Sequence, residues 1–482
     1  MGFPFDPVGA GLVYNVKSYG AFGDGVHDDM AAIQAAATAA GGGGVTFIPP
    51  GRYKTTSPIL LSSGVSVIGT PASIIDYSSS IASEGAFYTP GNGNNYGVYS
   101  QISVRNLQIN AYDSPALAFY GIDNLVIENV KAICTGATYP AELIILGMCR
   151  QSAILGNSLY NAKGDSIFMI GCYDYSIVGN SIYNSGDDGI YVGWTGTTPQ
   201  SHHVAVVGNT LDTGGANGIR MEGSHVAVAG NTITGFTANG VIVDTEGTYN
   251  TDDVTVTGNT IDTCEAGGVE VTNSTTVVSG IRIMGNVVRG CGFSAGSSVY
   301  GGVVVASPTV VESNTVINCG SSSQGIDAGG ILLSSGANNA TVRNNRIEDS
   351  PGWSLVVWNG SGMATYTGVL IEDNDIRIGN TSGFNIGVST GVILRNNAGY
   401  NPVGSSVPGT AFSLPASGTT WTNQTGVDGT LYVTGAGVVT DVVVQGVTVA
   451  SSLSVGQSYF VPAGGTITFT YSSAPTLVFV GD

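Results

Sequence analysis

The sequence predicts an all-β fold: a single-stranded right-handed parallel β-helix closed by one capping helix, with a small β-sandwich-like domain at its C-terminus. Three observations carry that expectation. A Gly-Asn motif recurs down most of the chain, the residues around it alternate apolar and polar, and glycine is abundant (73 residues) where charge is scarce (10%). Many short strands joined by tight turns need that composition.

The repeat comes first. It reads ILGNSL at Asn157, IVGNSI at Asn180, VVGNTL at Asn209, VAGNTI at Asn231, VTGNTI at Asn259 and IMGNVV at Asn286. Looser copies follow at Asn314, Asn345, Asn374 and Asn397, and earlier ones at Asn106 and Asn129 have their apolar residues displaced by one place. Spacings run from 22 to 31 residues. A coil of three short strands and three turns needs about the lower figure at roughly 3.3 Å per residue, so longer coils carry loop insertions. Period-two Val, Ile and Leu beside Gly-Asn indicate strand and not helix. One coil cannot bury its apolar face alone, whereas stacked coils share a core. The Asn is expected at a turn that tolerates left-handed angles, with stacked amides bonding one another. Cys264, Cys291 and Cys319 stand five residues after three successive motifs and read as a file of buried thiols, without His or Cys partners at metal-ligand spacing.

The N-terminal stretch YNVKSYGAFGDGVHDDMAAIQAAATAAGGGGVTFIPPGRY holds the one helical pattern, over about 28–40. Asp28 or Asp29 is placed to cap it, glycines end it, and VTFIPPG opens the first coil. This stretch resembles the opening of the pectate-lyase superfamily, in the branch of polygalacturonase-like enzymes, alginate epimerases and phage tailspikes. The resemblance, with the repeats, covers residues 13–400. It implies that the helix covers an otherwise open end of the solenoid and that Asp24, His27, Asp28 and Asp29 are structural. Residues 1–12 form an extension. From 401 to 482 the Gly-Asn repeat stops and strand-like runs such as GTLYVTG and GTITFTYSS form the last domain.

A formal charge of −19 argues against nucleic acid and anionic membrane surfaces as partners. No apolar run is long enough to span a bilayer, and the first residues lack the basic and apolar parts of a signal peptide. An extracellular, cell-surface or virion location is expected from the resemblance. Trimers are frequent in such families, and unbroken outer faces are compatible with a homotrimer.

Aligning the strand after the motif gives GDSIFMI, GDDGIYVGW, ANGIRMEG, ANGVIVDTE and AGGVEVTN. Alternation turns Ile167, Ile190, Ile219, Val241 and Val269 inward, and Phe168, Tyr191, Arg220, Ile242 and Glu270 outward. Glu222 and Asp244 face outward two places on. Asp165, Asp188, Asn217 and Asn239 form one column ahead of the strands. Coils stack about 4.8 Å apart, so Asp165, Asp187, Asp188, Arg220, Glu222, Asp244 and Glu270 share one face beside Tyr191 and Trp194. Paired carboxylates a coil or two apart are what glycoside hydrolysis uses, one protonated and one ionised. Asp187 or Asp188 is expected as the acid, with Asp165, Glu222 or Asp244 as base or nucleophile. Tyr191, Trp194, Arg220 and Glu270 are expected to bind substrate. The same residues read blandly are turn Asp and a solvated sheet face.

GDDG at Asp187 and Asp188, with Asp165 one coil earlier, is similar to the polygalacturonase arrangement. No Gly-His-Gly follows on the next coil and no Arg-x-Lys after that; His202, His203 and His225 fall at other coil positions. The DPHE-type motif of alginate epimerases is absent, as are calcium loops of EF-hand or repeat-in-toxin type, so no cofactor is expected, although the acidic groove could take Ca²⁺. Three functions stay open: a glycoside hydrolase acting on a polysaccharide or oligosaccharide, a tailspike or surface protein that binds glycan without cleaving it, and a polysaccharide lyase or uronate epimerase.

Overall fold

The computed structural model describes residues 12–79, 83–91, 95–136, 142–194, 198–244, 249–273, 277–293, 300–321, 328–358, 366–386, 391–399, 413–423, 428–462 and 464–481. Most of the expected N-terminal extension (1–11) and the expected start of the last domain (401–412) lie outside them. The chain divides into two compact units, Met1–Ile281 and Arg282–Asp482.

In the first unit every pairing between strands is parallel, and each strand pairs with its counterparts one coil away. One sheet runs from Val13–Asn15 to Thr255–Thr257, a second from Asp24–Asp28 to Thr260–Asp262, and a third from Ile59–Leu60 to Gly267–Val271. This is a parallel β-solenoid. Its interior is a file of apolar side chains: Ile167, Ile190, Ile219, Val241 and Val269 are all fully buried and mutually paired, as alternation requires. The second unit repeats the coil through Val392–Arg395. It ends in two antiparallel sheets, of four and three strands, between Thr420 and Gly481. Leu431 and Val461 from one of these sheets and Val442, Ile467 and Phe469 from the other share a small core.

The motif's asparagines form a buried amide ladder. The backbone N–H and Nδ2 of Asn157 both donate to Asn180 Oδ1 at 2.9 Å, and Asn180 treats Asn209 the same way, then Asn209 Asn231, and Asn231 Asn259. In the second unit the ladder runs from Asn286 through Asn314, Asn345 and Asn374 to Asn397. Two expectations need correction. The left-handed angle falls on the residue before the Asn: Gly179, Gly208, Gly230 and Gly258 have φ of 62 to 67° with open space where a Cβ would stand. Asn106 and Asn129 are not ladder residues. They occupy that left-handed place themselves (φ 57 and 51°), and Val130, whose N–H donates to Asn157 Oδ1, holds the ladder position. The displaced apolar residues in those two coils are this shift. Asn in the left-handed region is tolerated because its short polar side chain bonds locally.

The helix α1 (Met30–Ala39) buries Ile33, Ala36 and Ala37, and Gln34 exchanges two hydrogen bonds with the backbone of Leu60 in the first coils. Of the two capping candidates, Asp28 accepts from the Met30 N–H at 3.1 Å. Asp29 instead accepts from Phe22 and Gly23, pinning the preceding loop. Asp24 and His27 bond each other at 2.7 Å. All six cysteines are buried, and none is in a disulfide.

Candidate active site

The third sheet presents the outward column Phe168, Tyr191, Arg220, Ile242 and Glu270, paired coil to coil in the register that alternation implies. Two residues before each strand's first inward side chain lies a second column. The Asp188 N–H donates to Asp165 Oδ1 at 2.8 Å, and the N–H and Nδ2 of Asn217 donate to Asp188 Oδ1 at 2.8 and 2.9 Å. Asn239 donates to Asn217 Oδ1 and, at 2.8 Å, to Glu270 Oε2. The column is therefore a second side-chain ladder, in which two rungs are carboxyl groups in place of amides. Glu142 extends it by one coil: Ile144 pairs with Ile167, which sets Glu142 beside Asp165. Sequence reading missed Glu142 because its coil lacks the Gly-Asp turn. The signal that could have found it is the shared offset of two residues before the first inward Ile.

Asp165 and Asp188 are buried and Asp187 is exposed, yet one oxygen from each lies within 4.8 Å of the others. Burial, then the Asp188 charge, pushes the Asp165 carboxyl up to about 8. Burial also raises Asp188, to about 6, against the opposing hydrogen bonds from Asn217. Glu142 is raised by burial and by the Asp187 charge. Asp165 therefore keeps its proton at neutral pH, and through it the cluster retains one. The alternative relief, a hard cation shared by the three, is open to the same oxygens, and these are the residues that would hold Ca²⁺.

Beside this cluster is an ion network. Arg220 Nη2 lies 2.6 Å from Glu222 Oε1 and 2.8 Å from Asp244 Oδ2. The Tyr191 hydroxyl donates to Glu222 Oε2 at 2.5 Å and lies 3.2 Å from the Trp194 carbonyl. The Arg220 guanidinium sits 5.5 Å above the Tyr191 ring. Phe168 and Tyr191 stack at 5.1 Å and 11°, and Trp194 meets Tyr249 edge-on. Glu222 and Asp244 are thus claimed by one cation, whereas Asp165, Asp187 and Asp188 are not. The structure brings eight of the nine expected site residues together in two groups: a carboxyl cluster and an Arg-bridged aromatic rim. Glu270, the ninth, is tied to Asn239 and separated from Arg220 by Ile242.

The three-sheeted parallel β-solenoid is the fold of pectate-lyase-type β-helices. The chain belongs to the family described as rhamnogalacturonase A/epimerase, pectate lyase-like, whose model matches residues 13–292; a model described as periplasmic copper-binding protein (NosD) matches 247–412. The mannuronan C5-epimerase AlgE6 of Azotobacter vinelandii is 56% identical over 46 residues, 9% of this chain and 5% of that protein. AlgE4 is 45% identical over 65 residues, 12% of each. The chain therefore matches only a small part of these curated relatives' length. Among solved structures, the catalytic unit of a GH87 α-1,3-glucanase from Streptomyces thermodiastaticus aligns with a TM-score of 0.59 at 17% identity, over 78% of this chain and 70% of that one. The AlgE6 A-module aligns with a TM-score of 0.50 at 18% identity, over 78% and 98%. At such identities the likeness shows the fold.

Proposed function

We propose that the protein is an extracellular or virion-associated glycoside hydrolase that cleaves a polysaccharide with the carboxyl cluster Asp165, Asp187 and Asp188. One observation supports this above the rest: three carboxyls with oxygens within 4.8 Å of one another, of which the two buried ones, Asp165 and Asp188, are pushed up so that the cluster keeps a proton at neutral pH. Hydrolysis of a glycosidic bond requires both a proton for the leaving oxygen and an ionised carboxylate to activate water or attack the sugar. Asp187, the exposed member, has access to the glycosidic oxygen and passes on the proton that buried Asp165, beside it, holds at neutral pH. Asp188, the lower of the two raised buried groups, supplies the carboxylate. Phe168, Tyr191 and Trp194 provide flat apolar surface for sugar rings, and Arg220, fixed by Glu222 and Asp244, orients hydroxyls.

The rival reading is uronate epimerisation or elimination, which the epimerase relatives raise. Those reactions need a cation to neutralise the substrate carboxylate while a base takes the C5 proton. Arg220 is the cation of this group and it is already held by two carboxylates, so the face suits a neutral or weakly charged glycan. The test is product analysis on a panel of polysaccharides. New reducing ends that disappear in Asp187→Asn and Asp188→Asn variants support hydrolysis. An unsaturated uronide, inverted uronate residues, or binding with no product would each overturn it.

A further inference from the structure

Three of the chain's four histidines gather on a different sheet from the carboxyl cluster. His202 and His203 begin the strand His202–Val207, and His225 lies on the strand of the next coil, Ser224–Ala229. His202 pairs with Ser224, so His203 and His225 occupy equivalent places, and both have left-handed backbone (φ 54 and 55°). Asp174 and Asp253 hold the same place on the coils before and after, with φ of 56 and 53°. The result is an Asp-His-His-Asp file up the outside of the solenoid. Asp174 Oδ1 is 3.4 Å from His203 Nδ1, the rings of His203 and His225 are 4.9 Å apart, and His225 Nε2 is 3.6 Å from Asp253 Oδ2. His202 joins from the side, its Nδ1 3.1 Å from His203 Nδ1 and its ring stacked on Tyr173 at 4.8 Å.

We propose that His202, His203 and His225 bind one divalent transition ion, with Asp174 and Asp253 as a further ligand or as carboxylates that orient the imidazoles. Two nitrogens bound to one tetrahedral ion at about 2.0–2.1 Å sit roughly 3.0–3.4 Å apart, and the His202–His203 nitrogens are already at that separation. Without metal, that contact requires one ring to donate and the other to accept; the ion replaces the shared proton. The file's side chains are between 46% and 69% exposed, which leaves the rings room to turn and converge. Imidazole with carboxylate selects Zn²⁺, Cu²⁺ or Ni²⁺ over Ca²⁺ or Mg²⁺. Aligned imidazole-carboxylate pairs are also the usual support of a ligating histidine.

The test is calorimetric titration of the untagged full chain with Zn²⁺, Ni²⁺ and Ca²⁺ at pH 7.5 and 5.5, with anomalous scattering to locate the ion. The expected result is one Zn²⁺ or Ni²⁺ per chain at pH 7.5, with weaker binding at pH 5.5, because histidine ligands must be neutral to bind a metal. The groups facing them are Asp174, Asp253, Tyr173 and, through the Tyr173 hydroxyl, Arg150. His202→Ala and His203→Ala should each weaken binding by about tenfold or more while leaving melting temperature and glycan cleavage unchanged. No binding, affinity unaltered in both variants, or an ion found at Asp165–Asp188 would overturn the proposal.

Discussion

Replacing Asp165 with asparagine should make the protein more stable and less active. The column already contains the replacement: Asn217 and Asn239 occupy Asp165's place two and three coils on, with N–H and Nδ2 both donating to the rung below. An asparagine at 165 keeps the acceptor for the Asp188 N–H and removes a group that resists ionisation. The sign follows from the raised pKa. Asp165 moves from 3.8 to about 8 on folding, so its stabilising contribution is complete below pH 4 and is lost as pH rises through 8. At 1.36 kcal/mol per pKa unit the ceiling is about 6 kcal/mol. Sharing of the proton with Asp188 reduces the expected gap to about 2–4 kcal/mol. Melting curves of wild type and Asp165→Asn at pH 4 and pH 8.5 measure it. The two proteins should nearly coincide at pH 4, with the variant clearly more stable at pH 8.5 and strongly impaired in cleavage. Equal gaps at both pH values, or a variant less stable at pH 8.5, would refute the raised pKa and the shared proton with it.

The remaining predictions concern the same physics. On a cleaved glycan, activity should fall below pH about 6, as Asp188 protonates, and above about 8, as the cluster loses its retained proton; a profile that shows neither fall outside that window removes the acid–base assignment. Alanine at both Asp187 and Asp188 should abolish product while the melting temperature shows the fold intact; surviving activity places the chemistry elsewhere. Cleavage should be insensitive to EDTA, because protonation already relieves the cluster's repulsion; loss restored by Ca²⁺ would assign the three carboxyls to a cation. Asn209→Ala should cost about 2–4 kcal/mol, since it strands the N–H and one of the two Nδ2 hydrogens of buried Asn180. Gly208→Asn, in open space at φ 63°, should cost about 1 kcal/mol or less, and equal losses at the two positions would contradict the ladder.

The sequence by itself determined the solenoid, the inward and outward faces, and the residues that share a column, because each depends on alternation within a strand and on the Gly-Asn phase mark. Asp165, Asp188, Asn217 and Asn239 could be lined up by counting from the first inward Ile or Val. Where the mark slipped by one residue, at Asn106 and Asn129, counting failed, and only backbone angles separate a left-handed Asn from a ladder Asn. The tertiary structure decided what the columns do. Glu142 joins the cluster through strand pairing across a coil of unrelated sequence. Arg220 bridges Glu222 and Asp244 instead of standing free, so it reaches Asp188 only as a more distant charge. Asp165, expected as a base, carries the highest carboxyl pKa. The reason is that alternation is a local property of the chain, whereas burial and charge sum over side chains brought together from coils of unequal length.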